Sequence, residues 1–223
     1  MKIFLKVSEL YSENSLPTQI ASKSDLHFFL ECDRLSLGYN RKKPKIVGDE
    51  TWQFQRLLRK VEFYKNCRNS FLWKPLFFYH LLHFHRMSVR LGFTIPPNCF
   101  GPGLAIVHRG TIVISNFVKI GSNCRIHVDV NIGATSKQNR APQIGNDTYI
   151  APGVKIFGDI TIADGVAIGA GAIVNKSILE KNITVAGNPA KKISDNNSGK
   201  HINKGTEIFF KTNSRGSCIT QNQ

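Results

Sequence analysis

A six-residue repeat of branched aliphatic side chains dominates the centre of this chain, between residues 114 and 174. Counting every sixth residue from Ile114 to Val174 gives eleven positions, and ten of them are Ile or Val. The exception is Gln138, inside the polar run 136–140. A period of six fits neither an α-helix, with about 3.6 residues per turn, nor an amphipathic strand, with a period of about two.

This period is typical of a β-solenoid, in which each short strand points one branched side chain inward and a corner follows. Glycine repeatedly follows the aliphatic position, at Gly121, Gly133, Gly145 and Gly169. Glycine tolerates the backbone angles that such corners demand. A β-sandwich rich in Val and Ile is the alternative, but its strands are not spaced so regularly. The sequence therefore predicts a mainly β fold, a parallel β-solenoid.

The net charge limits the class of partner. The chain of 223 residues carries a formal charge of +15, and the basic residues are spread along its whole length. A nucleic-acid-binding protein concentrates such charge on one element, so we expect no nucleic-acid partner. Anionic small molecules, anionic glycans and the cytoplasmic face of a membrane remain plausible partners.

The chain divides into three regions by composition and pattern. Residues 1–92 predict a small α-helical region, with one helix capped at Ser24-Asp25, a second ending near Arg68 and a third from about Pro75 to Leu91. Residues 93–193 predict the solenoid, which begins after the helices end at Pro96-Pro97. Residues 194–223 are rich in Asn, Ser, Gly and Lys, which predicts a flexible polar tail.

The third predicted helix is apolar on nearly all sides. Packing against the solenoid or another subunit is one interpretation. The other is a helix lying in a membrane interface, with Lys74, Arg86 and Arg90 towards lipid phosphates. His80 and His83 share a helix face, but no carboxylate stands nearby, so we expect no metal site.

The cysteines and the N-terminus bear on localisation. Five scattered cysteines form no CxxC pair and no zinc spacing, which favours reduced thiols in a cytoplasmic protein. The apolar run at the N-terminus is too short for a signal peptide, and no stretch is long enough for a membrane span. We therefore expect a cytoplasmic protein, with peripheral membrane contact left open.

Two histidines are candidates for chemistry. His108 stands where the solenoid begins, among apolar residues and glycines, and an imidazole there could act as a general base. A single histidine is more often structural, so both interpretations stay open. His127 follows an inward position and should point outward, where it could bind substrate or be solvated. The sequence offers no nucleophile elbow, phosphate-binding Walker loop or paired-carboxylate cluster.

Three segments stand out alongside the hexapeptide repeat: Gly-Pro-Gly-Leu-x-Ile-x-His at 101–108, Ile-Gly-x-Asn-Cys at 120–124 and Ala-Gly-Asn-Pro-Ala-Lys at 186–191. Together they resemble the left-handed β-helix acetyltransferases, in the branch that contains serine acetyltransferases and their relatives in surface-polysaccharide synthesis. The resemblance covers about residues 93–193. It implies a left-handed coil of three strands per turn and a homotrimer with active sites between subunits.

The resemblance also implies roles for individual residues. His108 matches the catalytic histidine, which takes the proton from the acceptor hydroxyl as that oxygen attacks the thioester of acetyl-CoA. Backbone N–H groups would hold the oxyanion. Lys191 matches a basic residue near the nucleotide phosphates, and Arg140 lies in a loop that reaches over a neighbour's site. The positions that match the path of the pantetheine arm are Ala134, Thr135, Ala151, Gly169 and Ala170.

The sequence also departs from the serine acetyltransferase pattern. The solenoid entrance reads Phe93-Thr94-Ile95-Pro96 in place of Asp-Ile-His-Pro. Val107 replaces the Asp before the catalytic histidine, and Ala141 replaces the His after the loop arginine. These groups would orient the base and bind the charges of serine. A backbone carbonyl or Asp129 of an adjacent coil could orient His108 instead.

These departures lead to the expected function. We expect an acetyl-CoA-dependent O-acetyltransferase that modifies a sugar hydroxyl of a capsule or lipopolysaccharide, with His108 as base and no metal. His127, Asp129 and Arg140 are candidate substrate-binding residues. Serine O-acetylation in cysteine biosynthesis is the alternative, followed by a non-catalytic solenoid scaffold and by N-acetylation of an amino sugar.

Overall fold

The computed structural model of the chain describes residues 11–12, 15–68, 70–134 and 140–217, with side chains up to residue 213. Within these residues, three helices precede the solenoid and one follows it: α1 (Lys23–Ser36), α2 (Glu50–Cys67), α3 (Lys74–Leu91) and α4 (Gly205–Ser217). The same residues include two short 3-10 helices, Phe71–Trp73 and Ser198–Lys200.

The described strands form three sheets. The five-stranded sheet has the order β1 (Phe93–Thr94), β3 (Ile112–Ile114), β6 (Val130–Gly133), β9 (Lys155–Phe157), β12 (Ile173–Val174). The three-stranded sheet has the order β10 (Thr161–Ile162), β7 (Gln143–Ile144), β4 (Lys119–Ile120). The six-stranded sheet has the order β14 (Lys191–Ser194), β13 (Thr184–Ala186), β11 (Ala167–Ile168), β8 (Tyr149–Ile150), β5 (Arg125–Ile126), β2 (Ala105–Ile106).

The register of these strands explains the six-residue repeat. Ile114 pairs with Ile132, and Ile132 pairs with Ile156, in parallel strands of the five-stranded sheet. From Ile114 to Ile132 the chain advances 18 residues, or three repeats, so each coil contributes one strand to each sheet. All three isoleucines are at most 2% exposed. The predicted solenoid, with its inward ladders of branched side chains, is therefore the observed architecture.

One coil is longer than the others. From Ile132 to Ile156 the chain advances 24 residues, six more than a regular coil. The additional residues coincide with the polar run around Gln138. Residues 135–139, and therefore the proposed pantetheine contact Thr135, lie outside the described residues.

A buried ion cluster joins the helices to the first coil. The Arg59 guanidinium on α2 is fully buried and binds Asp33 of α1 at 2.9 Å and Glu62 at 3.0 Å. It also donates to the carbonyl oxygens of Phe100 and Gly101, at 2.9 and 2.7 Å. Burial raises the pKa of both carboxyl groups, while the guanidinium opposes that rise. A buried guanidinium with this many acceptors fixes the orientation of the helices on the solenoid.

At the β2 edge of the six-stranded sheet, a side chain of α2 takes the place of a neighbouring strand. Gln55 on α2 is fully buried and lies beside β2. Its amide donates to the carbonyl oxygen of Leu104 at 2.7 Å and accepts from the N–H of Ile106 at 2.8 Å. The open edge of β2 is thereby satisfied without another strand.

The helices begin and end close to their predicted positions. α1 is capped by Ser22, whose hydroxyl accepts from the N–H of Asp25 at 3.0 Å, so the cap lies two residues before the predicted one. α2 ends one residue before Arg68, and α3 has its proline in the first turn. α3 packs on α2 and β1 through Phe84 and Leu91, which are 8% and 5% exposed.

The described part of the tail differs from the expectation of a flexible segment. α4 packs on α1, where the Phe209 ring meets the Phe28 ring edge-on at 5.1 Å. Phe209 is 2% exposed. Asn123 donates to the hydroxyl of Thr206 at 2.8 Å, and Lys204 binds Asp147 at 2.8 Å. Although this segment is polar in composition, it contains apolar residues such as Phe209 that are buried against α1.

The opposite face of α3 remains exposed. Phe78, Tyr79 and Leu82 have exposed fractions between 53% and 61%, and Phe71 of the preceding 3-10 helix is 79% exposed. Within the part of the chain that the structure describes, no helix has the length and apolar character needed to span a membrane.

Candidate active site

An outward-facing column of residues runs along one corner of the solenoid, at the exit of the six-stranded sheet. Each member follows the inward aliphatic residue of its strand. Backbone hydrogen bonds of 2.8 to 3.3 Å connect successive coils along this column. Its members are Val107, His127, Ala151, Gly169 and Ala186.

His108 stands at the upper end of this column. It is exposed, immediately after Val107, and the chain then turns at Gly110 with φ 126°. A Cβ at Gly110 would lie 2.4 Å from Cγ2 of Val128, so only glycine permits this tight corner. The corner therefore places the imidazole of His108 on the rim of the column, accessible to a substrate.

His127 lies beside His108 on the next coil. The two ring centroids are 5.7 Å apart, with the ring planes tilted by 51°. His127 points outward from the coil, as its position in the repeat predicts, but only 9% of it is exposed. The structure thus brings the two candidate histidines together and buries the second behind the first.

Two further aromatic side chains, Tyr149 and His201, extend the row of rings that begins with His108 and His127. The Tyr149 ring meets His127 edge-on at 5.3 Å, and His201 stacks on Tyr149 at 4.7 Å. The sequence interpretation missed both residues. Tyr149 has a weak signal, since it is an aromatic residue at an outward position of the repeat. His201 has none, because it belongs to the C-terminal segment and reaches the row only through the packing of that segment.

The environment of His127 keeps its imidazole uncharged. Burial, then the charge of Arg125 and then His108, lowers the pKa of His127 to about 4. Its Nε2 atom is buried and has no hydrogen-bond partner. A buried polar atom without a partner is uncommon in native proteins.

Below His127 the column becomes a flat strip. Ala151, Gly169 and Ala186 have no side-chain atom beyond Cβ, and the three inter-strand steps from His127 to Ala186 span about 14 Å. A Cβ on Gly169 would lie 2.8 Å from the Cβ of Ala186, so the strip has no room for more side chain there. Ala170 follows in the adjoining turn.

Lys191 lies at the far end of the strip. It pairs with Ala186 across the antiparallel β13–β14 connection and is exposed. An imidazole at one end and an ammonium group at the other suit an extended ligand with a reactive group and an anionic group at opposite ends. The structure therefore places Ala151, Gly169 and Lys191 along one line from His108.

The remaining predicted site residues lie off this column. Ala134 follows β6, and Arg140 precedes β7, so both flank the opposite edge of the five-stranded sheet from His108. Arg140 binds Asp159 at 2.9 Å. Asp129, with φ 60°, binds Lys155 of the next coil at 2.8 Å. The backbone N–H of Asp129 donates to the carbonyl oxygen of Thr111, in the corner that follows His108, while its carboxylate pairs with Lys155 and makes no described hydrogen bond to His108.

The described residues contain no group of three or more His, Cys, Asp or Glu side chains suited to a metal ion.

Solved structures define the class of this fold. The serine acetyltransferase of Brucella abortus strain S19 superposes with a TM-score of 0.60 at 24% identity, over 88% of this chain and 75% of that one. The same enzyme in complex with coenzyme A gives a TM-score of 0.59 at 24% identity, over 87% and 73%. The predicted left-handed parallel β-helix with preceding helices is confirmed.

Two proteins that are similar in sequence indicate a more specific class of enzyme. The chain is similar to the serine acetyltransferase of Buchnera aphidicola subsp. Acyrthosiphon pisum, 37% identical over 123 residues, which are 53% of this chain and 44% of that protein. It is also similar to the serine acetyltransferase of Bacillus pumilus, 36% identical over 111 residues, 49% of this chain and 50% of that protein. The chain thus spans about half the length of these relatives. No family model matches it.

These relatives confirm the resemblance to hexapeptide-repeat acetyltransferases of the serine acetyltransferase type, and the predicted acyltransferase class agrees with their names. The prediction of a capsule or lipopolysaccharide O-acetyltransferase with a glycan acceptor is wrong, because the similar proteins are named for serine. Val107 and Ala141 stand where the serine acetyltransferase pattern has polar residues, but these two differences do not by themselves define another acceptor.

Proposed function

We propose that the chain transfers the acetyl group of acetyl-CoA to the hydroxyl of L-serine, with His108 as general base. One observation carries this proposal: a strip of small residues leads from His108 to Lys191 on the flank of a rigid coil. The similarity to serine acetyltransferases supports serine as the acceptor.

The proposed reaction needs no acyl-enzyme. His108 removes the proton of the serine hydroxyl while that oxygen attacks the carbonyl carbon of the thioester. The tetrahedral intermediate collapses, the C–S bond breaks, and the departing sulfur of coenzyme A takes the proton from His108. Holding the two substrates side by side supplies much of the rate.

Coenzyme A would lie along the strip. Ala151, Gly169 and Ala170 would leave space for the pantetheine arm, and Lys191 would face the nucleotide phosphates at the far end. Lys191 is well placed for this, since the neighbouring Lys192 is already bound to Glu180 and Asp195.

A homotrimer would complete the site. Ala134 and Arg140 lie at the opposite edge of the five-stranded sheet from His108, so they cannot reach that histidine within one chain. They can do so when this edge of one copy meets the column of the next around a threefold axis. Such an assembly would bring the Arg140 guanidinium towards the carboxylate of serine.

The acceptor site would differ in detail from that of the relatives. Positions that carry charged or polar groups in the serine acetyltransferase pattern are Val107 and Ala141 here. We assign the carboxylate of serine to Arg140 of a neighbouring copy and its ammonium group to Asp129. Asp129 is exposed, so its ion pair with Lys155 costs little to exchange.

The direct test is thiol release from acetyl-CoA in the presence of L-serine. We expect serine-dependent release, and a loss of about 100-fold or more for His108→Ala with unchanged binding of coenzyme A. His85→Ala, on the exposed surface of α3, is the matched control. Release that is independent of serine, or full activity of His108→Ala, contradicts the proposal.

The exposed face of α3 supports a peripheral membrane contact. Lys74, Arg86 and Arg90 accompany the exposed aromatic residues, and α3 contains no acidic residue. Charge complementarity therefore favours an anionic membrane surface over a second copy of the same basic helix.

Sedimentation with lipid vesicles tests this contact. We expect binding to vesicles that contain phosphatidylglycerol, little binding to phosphatidylcholine alone, and loss of binding in Phe78→Ser/Leu82→Ser. Thr161→Ser, on the solenoid, is the control. Absence of binding to both vesicle types, or a smaller assembly of the double variant in light scattering, contradicts the membrane assignment.

A further inference from the structure

A short basic loop between α1 and α2, residues 41–48, presents two aliphatic side chains to solvent. Ile46 and Val47 at its tip are 93% and 78% exposed. Among the large hydrophobic side chains of the described residues, Ile46 has the highest exposed fraction. Keeping an adjacent pair of aliphatic side chains in water forgoes the free energy of burying them, so this pair does not serve the core of the protein.

Hydrogen bonds from α2 and its cap hold the loop in one shape. The Asp49 carboxylate accepts from the N–H of Lys45 at 2.6 Å. The side-chain amide of Gln53 donates to the carbonyl oxygens of Lys45 and Ile46, at 2.6 and 2.9 Å. The tip ends at Gly48, whose φ of 94° favours glycine. The tip is therefore pre-organised, and little conformational entropy is lost when it meets a partner.

The charge of the loop limits the class of that partner. Lys42, Lys43 and Lys45 are exposed around the tip, while Arg41 binds Asp49 at 2.5 Å. Asp49 is only 6% exposed, so the loop presents its lysines to solvent and withholds its carboxylate. Such a surface is attracted to an anionic partner and repelled by a second copy of itself.

The loop lies against the flank of α3. A cleft of about 310 Å³ between them is lined by Ile46, Val47, Glu50, Gln53, His83, Met87, Arg90 and Leu91. His83 lies one helical turn from Tyr79, which belongs to the exposed face of α3, and Arg90 lies on the same side of the helix. The apolar tip of the loop and the exposed face of α3 are therefore neighbouring parts of one surface.

We propose that the loop 41–48 is a second membrane anchor. Ile46 and Val47 enter the acyl-chain boundary of an anionic leaflet, and the three exposed lysines contact lipid phosphates. This inference rests on the proposed membrane contact of α3 and adds an attachment outside that helix. Two attachments fix the tilt of the protein on the membrane, which one helix lying in the interface leaves free to rotate about its own axis.

The backbone of the tip favours lipid over an acidic protein as the partner. Gln53 already binds the carbonyl oxygens of Lys45 and Ile46, so these groups do not need water when the tip enters an apolar layer. A protruding aliphatic pair whose neighbouring carbonyl groups are already bound offers few directional contacts to a protein. It suits a fluid acyl-chain layer, which needs none.

Sedimentation with phosphatidylglycerol-containing vesicles tests the anchor. We expect Ile46→Ser/Val47→Ser to weaken binding by at least about tenfold, because both side chains lose their burial in lipid. Leu179→Ser/Ile193→Ser, at solenoid positions that are 73% and 64% exposed, is the matched control and should bind as the wild type does. Wild-type affinity of Ile46→Ser/Val47→Ser overturns the proposal.

The lysines and the shape of the loop are tested in the same way. Lys42→Gln/Lys43→Gln should weaken binding on the order of tenfold, and less so at high salt, where the attraction is screened. Gln53→Ala should weaken binding by a few-fold, since it releases the tip without removing an apolar or charged group from it. Wild-type affinity of Lys42→Gln/Lys43→Gln at low salt contradicts the contact with lipid phosphates.

A tryptophan at the tip reports insertion directly. In Ile46→Trp/Trp73→Phe the remaining native tryptophan, Trp52, is fully buried. We expect lipids brominated on their acyl chains to quench the emission of the new indole when the protein binds, and to leave that of Trp52 nearly unchanged. Bound protein whose emission is not quenched overturns the insertion of the tip.

The variants also separate this inference from the contact on which it rests. If the wild type does not bind phosphatidylglycerol vesicles, both fail. If Phe78→Ser/Leu82→Ser abolishes binding while Ile46→Ser/Val47→Ser binds as the wild type does, only this inference fails. Binding to soluble polyglutamate without binding to vesicles, lost in Lys42→Gln/Lys43→Gln, would indicate an acidic protein partner and also overturn it. Acetyl transfer to serine in solution is unaffected by any of these outcomes.

Discussion

The side-chain amide of Gln55 accepts a hydrogen bond from the backbone N–H of Ile106, at 2.8 Å. Through this contact, and the one to the carbonyl of Leu104, α2 takes the place of the strand that would precede β2. His108 follows two residues later. The helical region is therefore part of the support of the proposed active site as well as a cap on the solenoid.

Replacing Gln55 by Leu should destabilise the protein. Two buried backbone groups would lose their partners, each at a cost of about 1–3 kcal/mol, so we expect a loss of about 2–6 kcal/mol in the free energy of unfolding. Urea denaturation measures it. Lys65→Leu, exposed on the same helix, should change stability by less than about 0.5 kcal/mol. Similar effects of the two substitutions would show that the β2 edge does not need Gln55.

Arg59→Met should be more costly still. Removing the guanidinium leaves Asp33 and Glu62 buried with uncompensated charge, which we expect to cost about 3–5 kcal/mol. Arg56→Met, partly exposed one turn earlier, is the matched control. Adding Asp33→Asn to Arg59→Met should recover part of the loss, because one buried charge is then removed. A double variant that is no more stable than Arg59→Met alone would contradict this account of the cluster.

The strip of small residues predicts a steric block. Ala151 is only 4% exposed, so the larger side chain of Ala151→Leu would project onto the strip below His127, and we expect KM for acetyl-CoA to rise by on the order of tenfold, equivalent to about 1.4 kcal/mol. Thr161→Leu, an outward substitution on the three-stranded sheet, serves as the comparison. Titration with coenzyme A measures the same change without turnover. Unchanged affinity in Ala151→Leu would show that coenzyme A lies elsewhere.

His127 predicts a pH dependence of stability. Its pKa in the folded protein is lowered to about 4, below the ordinary value of 6.5, so the unfolded chain binds the proton more readily. The stability that neutral His127 contributes is therefore fully present above about pH 6.5 and is lost as the pH falls towards 4. Chemical denaturation of His127→Gln between pH 4 and 7 should show a shallower decline than the wild type. Parallel pH curves for the two proteins would contradict the lowered pKa.

The packing of α4 predicts that the C-terminal segment contributes to stability. Phe209→Ala would leave a cavity against Phe28, and we expect a loss of about 3–5 kcal/mol. Lys211→Ala, exposed on the same helix, should have little effect. Thermal unfolding followed by circular dichroism measures both. Equal melting temperatures for Phe209→Ala and the wild type would indicate that the segment is only loosely attached.

The solenoid could be predicted from sequence because its information is local and repeated. Each of Ile114, Ile120 and Ile126 specifies one inward position, and the same rule applies in every coil. His108 could be singled out because the segment that precedes it has a distinctive glycine pattern, and the structure places this histidine on an accessible rim. Its role as a base stays a prediction.

The assignment of the acceptor could not be made in the same way. Val107 and Ala141 indicated the absence of particular serine contacts, but an absent side chain does not specify which other group replaces it. Replacement groups come from adjacent coils or neighbouring copies, whose positions depend on assembly. The relatives named for serine therefore overturned a conclusion drawn from missing residues.

By itself, the sequence determined the period of the coil, the inward ladders and the position of His108 at the solenoid entrance. Only the tertiary structure decided that His127 is buried beside His108, that Tyr149 and His201 fix its ring, and that Gln55 completes the edge of β2. The physical reason is distance along the chain. A repeat encodes contacts between equivalent positions, whereas these contacts join segments of different pattern and form only when helices, coils and tail pack together.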